Sequence, residues 1–421
     1  MSLSVSEAAA EHPQGVALIG DGPEWTYAQL ASEVDACRRA LPEGPLVFAP
    51  KGRREDVVRV LAALEGERAL ALLHPRWSEP EREEARGRFL EHHQPGDVVV
   101  FTSGSSGRPK GVRLTRDTFC AAASAHAEAL PFEARDRWLL TLPLAHVGGM
   151  SVLTRCLASH STIVLGPSRF ETDSIRSAID THSVTLLSLV PTMLIRLMEA
   201  PPPPSLRAVL LGGAACSDGL LARGRAEGWP LLPTYGSSET CAQACTQRLD
   251  DARGGGVGSP MPGVAVRLDP EGEIHVAGPT VMRGYLGAPP LDGPFATGDL
   301  GRWDERGHLH VVGRRGTRII TGGENVDPVE VEMALETHPH VARACVIGRP
   351  DSAWGERVSA IIVVADGRPP SLAELRAHLA GQLASYKHPR ALVVLASLDE
   401  LPTGKLDRRA AEASAAELWN P

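Results

Sequence analysis

The 421-residue sequence predicts two α/β domains of unequal size: a large N-terminal domain of mixed sheets flanked by helices, and a small α+β C-terminal domain on a hinge. Three observations carry this prediction. The chain is longer than a single hydrophobic core usually serves. From Val98 to Leu232, short continuous apolar runs alternate with helical stretches, the pattern of strands buried on both faces of a sheet. Beyond residue 254 the pattern turns antiparallel, and Arg314-Arg315-Gly316-Thr317-Arg318 then places three cations and no core residue together, which reads as an exposed linker. The expected domains are therefore 1–315 and 318–421.

The opening reads as α/β. Trp25-Thr26-Tyr27-Ala28-Gln29-Leu30 starts a helix carrying Leu30, Val34 and Leu41, and short strands follow at Leu46-Val47-Phe48 and Ala69-Leu70-Ala71-Leu72-Leu73. Val98-Val99-Val100-Phe101 is a further buried strand. It runs into Thr102-Ser103-Gly104-Ser105-Ser106-Gly107-Arg108-Pro109-Lys110-Gly111, ten residues with three glycines, three serines, a threonine and two cations. Glycines let backbone N–H groups turn toward an anion, hydroxyls donate further hydrogen bonds, and Lys110 adds a full charge, so the stretch suits a phosphate cradle. The plainer reading of a Gly/Ser run is a solvated loop. It is not a Walker loop, because Arg108-Pro109 separates Gly107 from Lys110 and no Gly-Lys-Ser/Thr closes it.

Thr115 is a plausible N-cap with Asp117 in the first turn of the next helix. Buried strands then fall at 138–142, 162–165, 184–190, 208–211 and 231–232, with Pro191 at the first position of a helix. In an open α/β sheet ligands bind beyond the carboxyl ends of strands. Three segments occupy such places: Pro143-Leu144-Ala145-His146-Val147-Gly148-Gly149, Gly212-Gly213-Ala214-Ala215, and Thr234-Tyr235-Gly236-Ser237-Ser238-Glu239-Thr240. Alone, they read as a packed histidine, a tight turn and a helix cap. Together they outline one crevice with a histidine, room for a flat ring, an aromatic face, hydroxyls and a carboxylate.

Further on, strands are expected at 273–276 and 308–312, with Thr297-Gly298-Asp299-Leu300 setting a carboxylate in a turn. In the C-terminal part, Pro328 begins one helix. Ser371 caps another, whose Leu372, Leu375, Leu379 and Leu383 line one face. Leu401-Pro402-Thr403-Gly404-Lys405-Leu406-Asp407 is a turn bearing one lysine.

Composition excludes several classes. A net charge of −8 with no basic cluster argues against a nucleic-acid or anionic-membrane binder. No apolar run approaches the roughly 20 residues of a membrane span. Seven cysteines form no CxxC pair, and no signal peptide precedes them, which suits a reduced cytoplasm. Cys241 and Cys245 have the spacing to share a helix face and read as small buried apolar residues. His92-His93-Gln94-Pro95-Gly96-Asp97 matches the HHxxxD pattern of condensation domains by coincidence, since such a domain would need most of the chain.

Six motifs occur in order: the glycine loop at 102–111, LPLAHVGG at 142–149, YGSSET at 235–240, TGDL at 297–300, GRRGTRIITGGENVDPVEVE at 313–332 and PTGKLD at 402–407. In these the chain resembles the adenylate-forming superfamily of acyl-CoA synthetases, luciferases and peptide-synthetase adenylation domains. SLVPTMLIRLM at 188–198, LLGGAA at 210–215, SSETCAQ at 237–243 and GPTVMRGYL at 278–286 are further similar to the o-succinylbenzoate–CoA ligases of menaquinone biosynthesis. The resemblance implies an enzyme that uses ATP, Mg²⁺ and coenzyme A to convert a small carboxylic acid, o-succinylbenzoate, to its CoA thioester through an acyl-adenylate. A ligase for aryl or other small acids, or a degenerate AMP-binding protein, are the alternatives; a homo-oligomer is compatible with either.

Residue by residue, the resemblance implies that Thr102, Ser103, Gly104, Ser105, Ser106, Gly107 and Lys110 hold the β- and γ-phosphates. Gly212, Gly213 and Ala214 with Tyr235 and Gly236 would enclose adenine. Ser238 would touch the α-phosphate, Glu239 would ligate Mg²⁺, and Asp299 and Arg314 would bind the ribose. Lys405 would bridge carboxylate and α-phosphate, and His146 and Gly322-Gly323-Glu324 would face the acyl pocket and thioester site. Two departures stand out: Thr317 follows Gly316 where the family has an acidic hinge residue, and Ser238 replaces the commoner threonine while keeping the hydroxyl.

Overall fold

The computed structural model describes residues 2–102, 109–133, 135–167, 169–249, 254–315, 319–321, 324–351, 354–380, 382–401 and 406–419. The chain forms two compact units, one of residues 1–213, 224–267 and 275–295, the other of residues 214–223, 268–274 and 296–421. No helix among the described residues is long and apolar enough to cross a membrane.

The described residues of the first unit build two main sheets. One has nine strands, with Ser259–Pro260, Cys245–Thr246, Leu231–Tyr235, Ala208–Leu211, Leu186–Leu189, Arg137–Leu140, Thr162–Leu165, Val16–Ile19 and Trp25–Thr26 in that spatial order. Its six central strands, from Leu231–Tyr235 to Val16–Ile19, run parallel. The other sheet has five, in the order Gly284–Tyr285, Lys110–Thr115, Asp97–Thr102, Leu70–Leu72 and Leu46–Phe48, the last three parallel. The apolar runs behave as their composition predicts: Leu186, Leu187, Val209, Leu231 and Leu232 are all at most 1 % exposed.

Local signals place the helices. Thr26 accepts from the Gln29 N–H to start Tyr27–Ala40, with Leu41 as the residue that ends it. Thr115 accepts from the Thr118 N–H at 3.2 Å to start Arg116–Ala129, and Pro191 opens Pro191–Leu197. Such caps are each worth about 1 kcal/mol, because they satisfy N–H groups that the first helical turn leaves without partners.

Two expectations change. Lys110–Thr115 is a strand antiparallel to Asp97–Thr102, not merely the tail of the glycine loop, and its Arg113 donates from Nε to the fully buried Asp97 at 2.9 Å. That ion pair gives Asp97 of the HHxxxD stretch a purely structural partner. Cys241 and Cys245 are indeed buried, but on no common helix: Cys241 takes a left-handed conformation and Cys245 lies in a strand. Burial pushes both thiols up to about 12.

In the second unit, Ile319–Thr321, Glu324–Val326, Gly355–Val364, Val341–Asp351 and Ala391–Leu395 form a sheet of five described strands. Val331 and Leu335 of the helix Pro328–Leu335 and Leu375 and Leu379 of the helix Leu372–Leu379 belong to the same buried cluster as Val346, Val358 and Ile362 of the sheet. The second helix is shorter than its leucine spacing suggests: Leu383 lies beyond its end but still packs on the cluster.

One buried carboxylate ties the large sheet together at the amino ends of its strands. Asp136, immediately before Arg137–Leu140, accepts from Arg207 Nε at 2.7 Å, from Thr185 Oγ1 at 2.8 Å and from the Glu133 N–H at 2.7 Å. Arg207 precedes the strand Ala208–Leu211 and Thr185 precedes Leu186–Leu189, so three neighbouring strands are held in step. Burial by itself would raise the Asp136 pKa, but the Arg207 guanidinium, the Glu133 amide and the Thr185 hydroxyl outweigh it and hold the pKa below the usual carboxylate value.

Arg207→Met should therefore leave a buried, uncompensated carboxylate and cost about 3–5 kcal/mol in urea unfolding at neutral pH. Because the folded pKa of Asp136 is depressed, its stabilisation is full above the unfolded aspartate pKa and disappears as pH falls through the folded value. The difference between wild type and variant is thus expected to shrink on acidification. An unchanged gap at low pH would refute the assignment.

Candidate active site

The parallel strands send their carboxyl-end loops to one edge of the large sheet. Leu211 leads into Gly212 and Gly213, the latter at φ +78°. A Cβ on Gly212 would lie 2.7 Å from Thr234 Cγ2 and 2.9 Å from the Thr234 carbonyl oxygen. Only glycine lets the two strand ends approach this closely. Tyr235 ends the neighbouring strand Leu231–Tyr235, and a Cβ on Gly236 would meet the Ala242 carbonyl oxygen at 1.9 Å. That close approach folds residues 236–242 back on themselves. The short 3₁₀ turn Ser238–Thr240 results, closed by Thr240 Oγ1 accepting from the Ser237 N–H at 2.9 Å. Ser238 and Glu239 are thereby presented side by side, both half-buried.

The five-stranded sheet supplies the second wall. Thr102 and Lys110 face one another in register at the end of their hairpin, and Ser103, Gly104, Ser105, Ser106 and Gly107 lie outside the described residues. Tyr285 pairs with Val112 on the next strand, and its hydroxyl donates to Glu239 Oε1 at 2.9 Å. Lys110 Nζ sits 5.4 Å from the centre of the Tyr285 ring, and the Met282 N–H donates to the Glu239 carbonyl at 2.8 Å. A cation, an aromatic hydroxyl and a carboxylate from three separate stretches therefore converge where the glycine loop begins. Tyr285 is a residue that reading the sequence for chemistry missed. It falls within GPTVMRGYL at 278–286, a stretch matched for its family likeness and not read residue by residue for chemistry.

His146 stands at the N-cap of the helix Val147–Ser159, in the loop after Arg137–Leu140. Its ring lies 5.0 Å from that of His74, centre to centre. A Cβ on Gly149 would meet the Pro143 carbonyl oxygen at 2.2 Å, which explains why Gly149 follows so closely on His146.

The remaining predicted residues belong to the second unit. Asp299 and Arg314 are register partners on the antiparallel strands Phe295–Trp303 and Leu309–Arg314, with Arg314 Nη1 at 3.3 Å from Asp299 Oδ1. The TGDL stretch is thus not the turn the sequence suggested. Cross-strand pairing extends it, and Gly298 at φ +76° supplies the local bend. Glu324 is exposed at the start of Glu324–Val326 opposite Thr321. Ala214 begins a separate stretch of this unit. Gly322, Gly323 and Lys405 lie outside the described residues. Three residues past Lys405, Arg408 donates from Nη2 to the buried Glu332 at 2.6 Å, and Glu332 also accepts from the Val346 N–H at 2.6 Å. Burial raises the Glu332 pKa despite the guanidinium, while Arg408 is itself raised because that partner outweighs its own burial. The pair clamps the start of the helix Arg408–Ala415 to the helix Pro328–Leu335.

The chain is similar to known proteins along most of its length. The AMP-binding enzyme model matches residues 45–286, and the AMP-binding enzyme C-terminal domain matches residues 330–405. A 2-succinylbenzoate–CoA ligase of Bacillus pumilus is 37 % identical over 330 residues, covering 74 % of this chain and 67 % of the relative. Among solved structures, o-succinylbenzoate CoA synthetase from Bacillus subtilis in complex with its acyl-adenylate intermediate aligns with a TM-score of 0.87 at 29 % identity, over 100 % of this chain and 98 % of the other. The same Bacillus subtilis enzyme in complex with ATP and magnesium ion aligns with a TM-score of 0.86 at 29 % identity, over 96 % and 98 % of the two chains.

The Tyr285–Glu239 contact predicts that Tyr285→Phe, which removes only the hydroxyl, weakens binding of ATP with Mg²⁺ by about three- to tenfold. Isothermal titration with and without the metal measures this. Equal affinity in the two proteins would remove Tyr285 from the site.

Proposed function

The chain belongs to the AMP-binding enzyme family, and from that premise we propose that it is an ATP-dependent acid–CoA ligase acting on o-succinylbenzoate. One observation carries the reading: Lys110, Tyr285 and Glu239 meet at the mouth of the glycine loop, a cation and a carboxylate held by one aromatic residue. That is the equipment a polyphosphate and its metal require. The Bacillus subtilis relative solved with its acyl-adenylate supports the choice of acid.

The reaction has two halves. In the first, a carboxylate oxygen of the acid attacks the α-phosphorus of ATP and pyrophosphate leaves with the electron pair of the broken P–O bond. In the second, the CoA thiolate attacks the acyl carbonyl and AMP departs. The first half brings anion to anion, so cations must offset the repulsion before the transition state forms. Lys110 and the loop from Thr102 hold the departing pyrophosphate. Lys405 approaches the bond being made, between the carboxylate and the α-phosphate. Ser238 donates its hydroxyl to the α-phosphate. Gly212, Gly213 and Ala214 with Tyr235 and Gly236 receive adenine, and Asp299 and Arg314 receive the ribose.

The site suits Mg²⁺. Glu239 offers one half-buried carboxylate oriented by a hydroxyl, and this hard cation is commonly bound by one or two carboxylates together with substrate phosphates. When bound, it neutralises charge on the phosphate oxygens. Glu239 keeps its carboxylate turned to that position through Tyr285.

The thioester half needs no lysine at the α-phosphate. It needs access for the pantetheine thiol, for which we assign His146 with Gly322, Gly323 and Glu324, and a change of arrangement between the two halves, for which we assign the 314–318 segment as the hinge. Thr317 stands there where the family carries an acidic hinge residue, next to Gly316, a residue type whose backbone is free enough to compensate. The free cysteines suit the cytoplasm as the enzyme's compartment.

Pyrophosphate release from protein, ATP, Mg²⁺ and acid without CoA tests the reading. Release with o-succinylbenzoate is expected, and no release with any of a series of aromatic, succinylated aromatic and aliphatic acids would sink it. Lys405→Ala is expected to slow that release by at least about 10²-fold while leaving CoA attack on supplied acyl-adenylate largely intact. Equal losses in both halves would refute the assigned role of Lys405.

A further inference from the structure

We propose that His74 is a binding residue of the acid pocket, donating the hydrogen on its Nε2 to an oxygen of the bound acid and of the acyl-adenylate formed from it. The proposal rests on the ligase reading above and adds a contact to it.

The placement comes from both sheets. His74 follows the strand Leu70–Leu72 by two residues, and that strand runs parallel to Asp97–Thr102 with Leu72 opposite Val100. His74 therefore leaves the same edge of the five-stranded sheet as Thr102, where the glycine loop begins. His146 leaves the carboxyl edge of the nine-stranded sheet. The two imidazoles meet at 5.0 Å between centres with their planes inclined by 42°. The carboxyl ends of the two sheets thus converge on this pair, the kind of place where ligands enter α/β folds. Trp77 stands 6.3 Å from His74 and, edge-on, 5.9 Å from Phe101.

The proton is on a known nitrogen. The Arg76 backbone N–H donates to His74 Nδ1 at 3.2 Å, so Nδ1 is an acceptor and the ring's hydrogen sits on Nε2. His74 is only 3 % exposed, and its Nε2 has no hydrogen-bond partner among the described residues. A buried donor left in that state is costly, and most buried polar groups avoid the cost. The chain nevertheless keeps an imidazole here, which an occupant carrying an acceptor oxygen explains.

The ring is also uncharged. Burial, with Arg76 nearby, pulls the His74 pKa down to about 4, so at neutral pH it is a donor without being a counter-ion. Aromatic neighbours and a neutral donor match a carbonyl or carboxyl oxygen on an aromatic acid better than a phosphate, whose charge would call for a cation.

The experiment is steady-state pyrophosphate release by the full-length enzyme. His74→Leu fills similar volume without a donor, and His74→Gln returns an N–H at about the same reach. His74→Leu is expected to raise KM for the acid about tenfold while KM for ATP moves less than about twofold, and His74→Gln is expected to recover to within about threefold of wild type. Unchanged acid KM in His74→Leu, an equal rise in the KM for ATP, or a glutamine variant no better than leucine would each overturn the proposal. Should the leucine variant fail to fold, spectra of ¹⁵N-histidine-labelled wild type decide. A neutral Nε2–H signal that moves on adding acid with a non-hydrolysable ATP analogue supports the contact, and one that stays put or moves with the nucleotide alone overturns it. An inactive wild type would instead defeat the ligase reading itself, whereas an active wild type with an indifferent His74 defeats only this contact.

Discussion

The buried carboxylate of Asp136 is the interaction on which the arrangement of the large sheet depends. It accepts from groups at the amino ends of three adjacent parallel strands, and with those ends in step the opposite ends are in step too. The chemistry is carried at that opposite edge: the His146 loop, the Gly212-Gly213 turn and the Tyr235–Glu239 segment all leave it. Placing the ion-pair hub at one edge and the reactive loops at the other separates two demands. The hub needs complete satisfaction and burial, whereas the loops need donors, acceptors and charges kept available for a ligand.

Close backbone contact shapes those loops more than side-chain packing does. Gly212 lies against Thr234, Gly236 against Ala242 and Gly149 against Pro143, and in each case a Cβ would collide with backbone atoms. Backbone cannot yield as a flexible side chain can. These glycines hold Ser238, Glu239 and His146 at fixed heights over the sheet edge, which is what a preorganised site requires. Charges are divided along the same edge. Lys110 and Glu239 meet through Tyr285, while the buried imidazole of His74 beside His146 is neutral. A neutral donor can orient a substrate without competing for its reacting carboxylate.

Much of the fold was legible because its signals are local. Thr115 and Ser371 each cap the helix their position suggested, since a cap needs only a hydroxyl and an N–H within three residues. The buried parallel strands announced themselves as apolar runs. Lys110–Thr115 did not, because Lys-Gly-Val-Arg-Leu-Thr has charges at two of six positions, and its Arg113 is tolerated only through Asp97, sixteen residues earlier. The Asp299 stretch looked like a turn for a similar reason: Thr-Gly-Asp has turn composition, and the pairing of Asp299 with Arg314 that makes it a strand lies outside any local window.

The sequence by itself determined the family, the loops that carry glycines and hydroxyls, and the acidic, basic and aromatic residue types that a nucleotide needs, because those are properties of short stretches. Only the tertiary structure decided which of them meet. Tyr285 bridges Lys110 and Glu239 across 46 residues of chain to the glutamate, and His74 comes to face His146 from a different sheet. Hydrogen bonds and ring contacts act over a few ångströms in space and are indifferent to separation along the chain. Partners set by how two sheets pack therefore leave no mark on either stretch read alone.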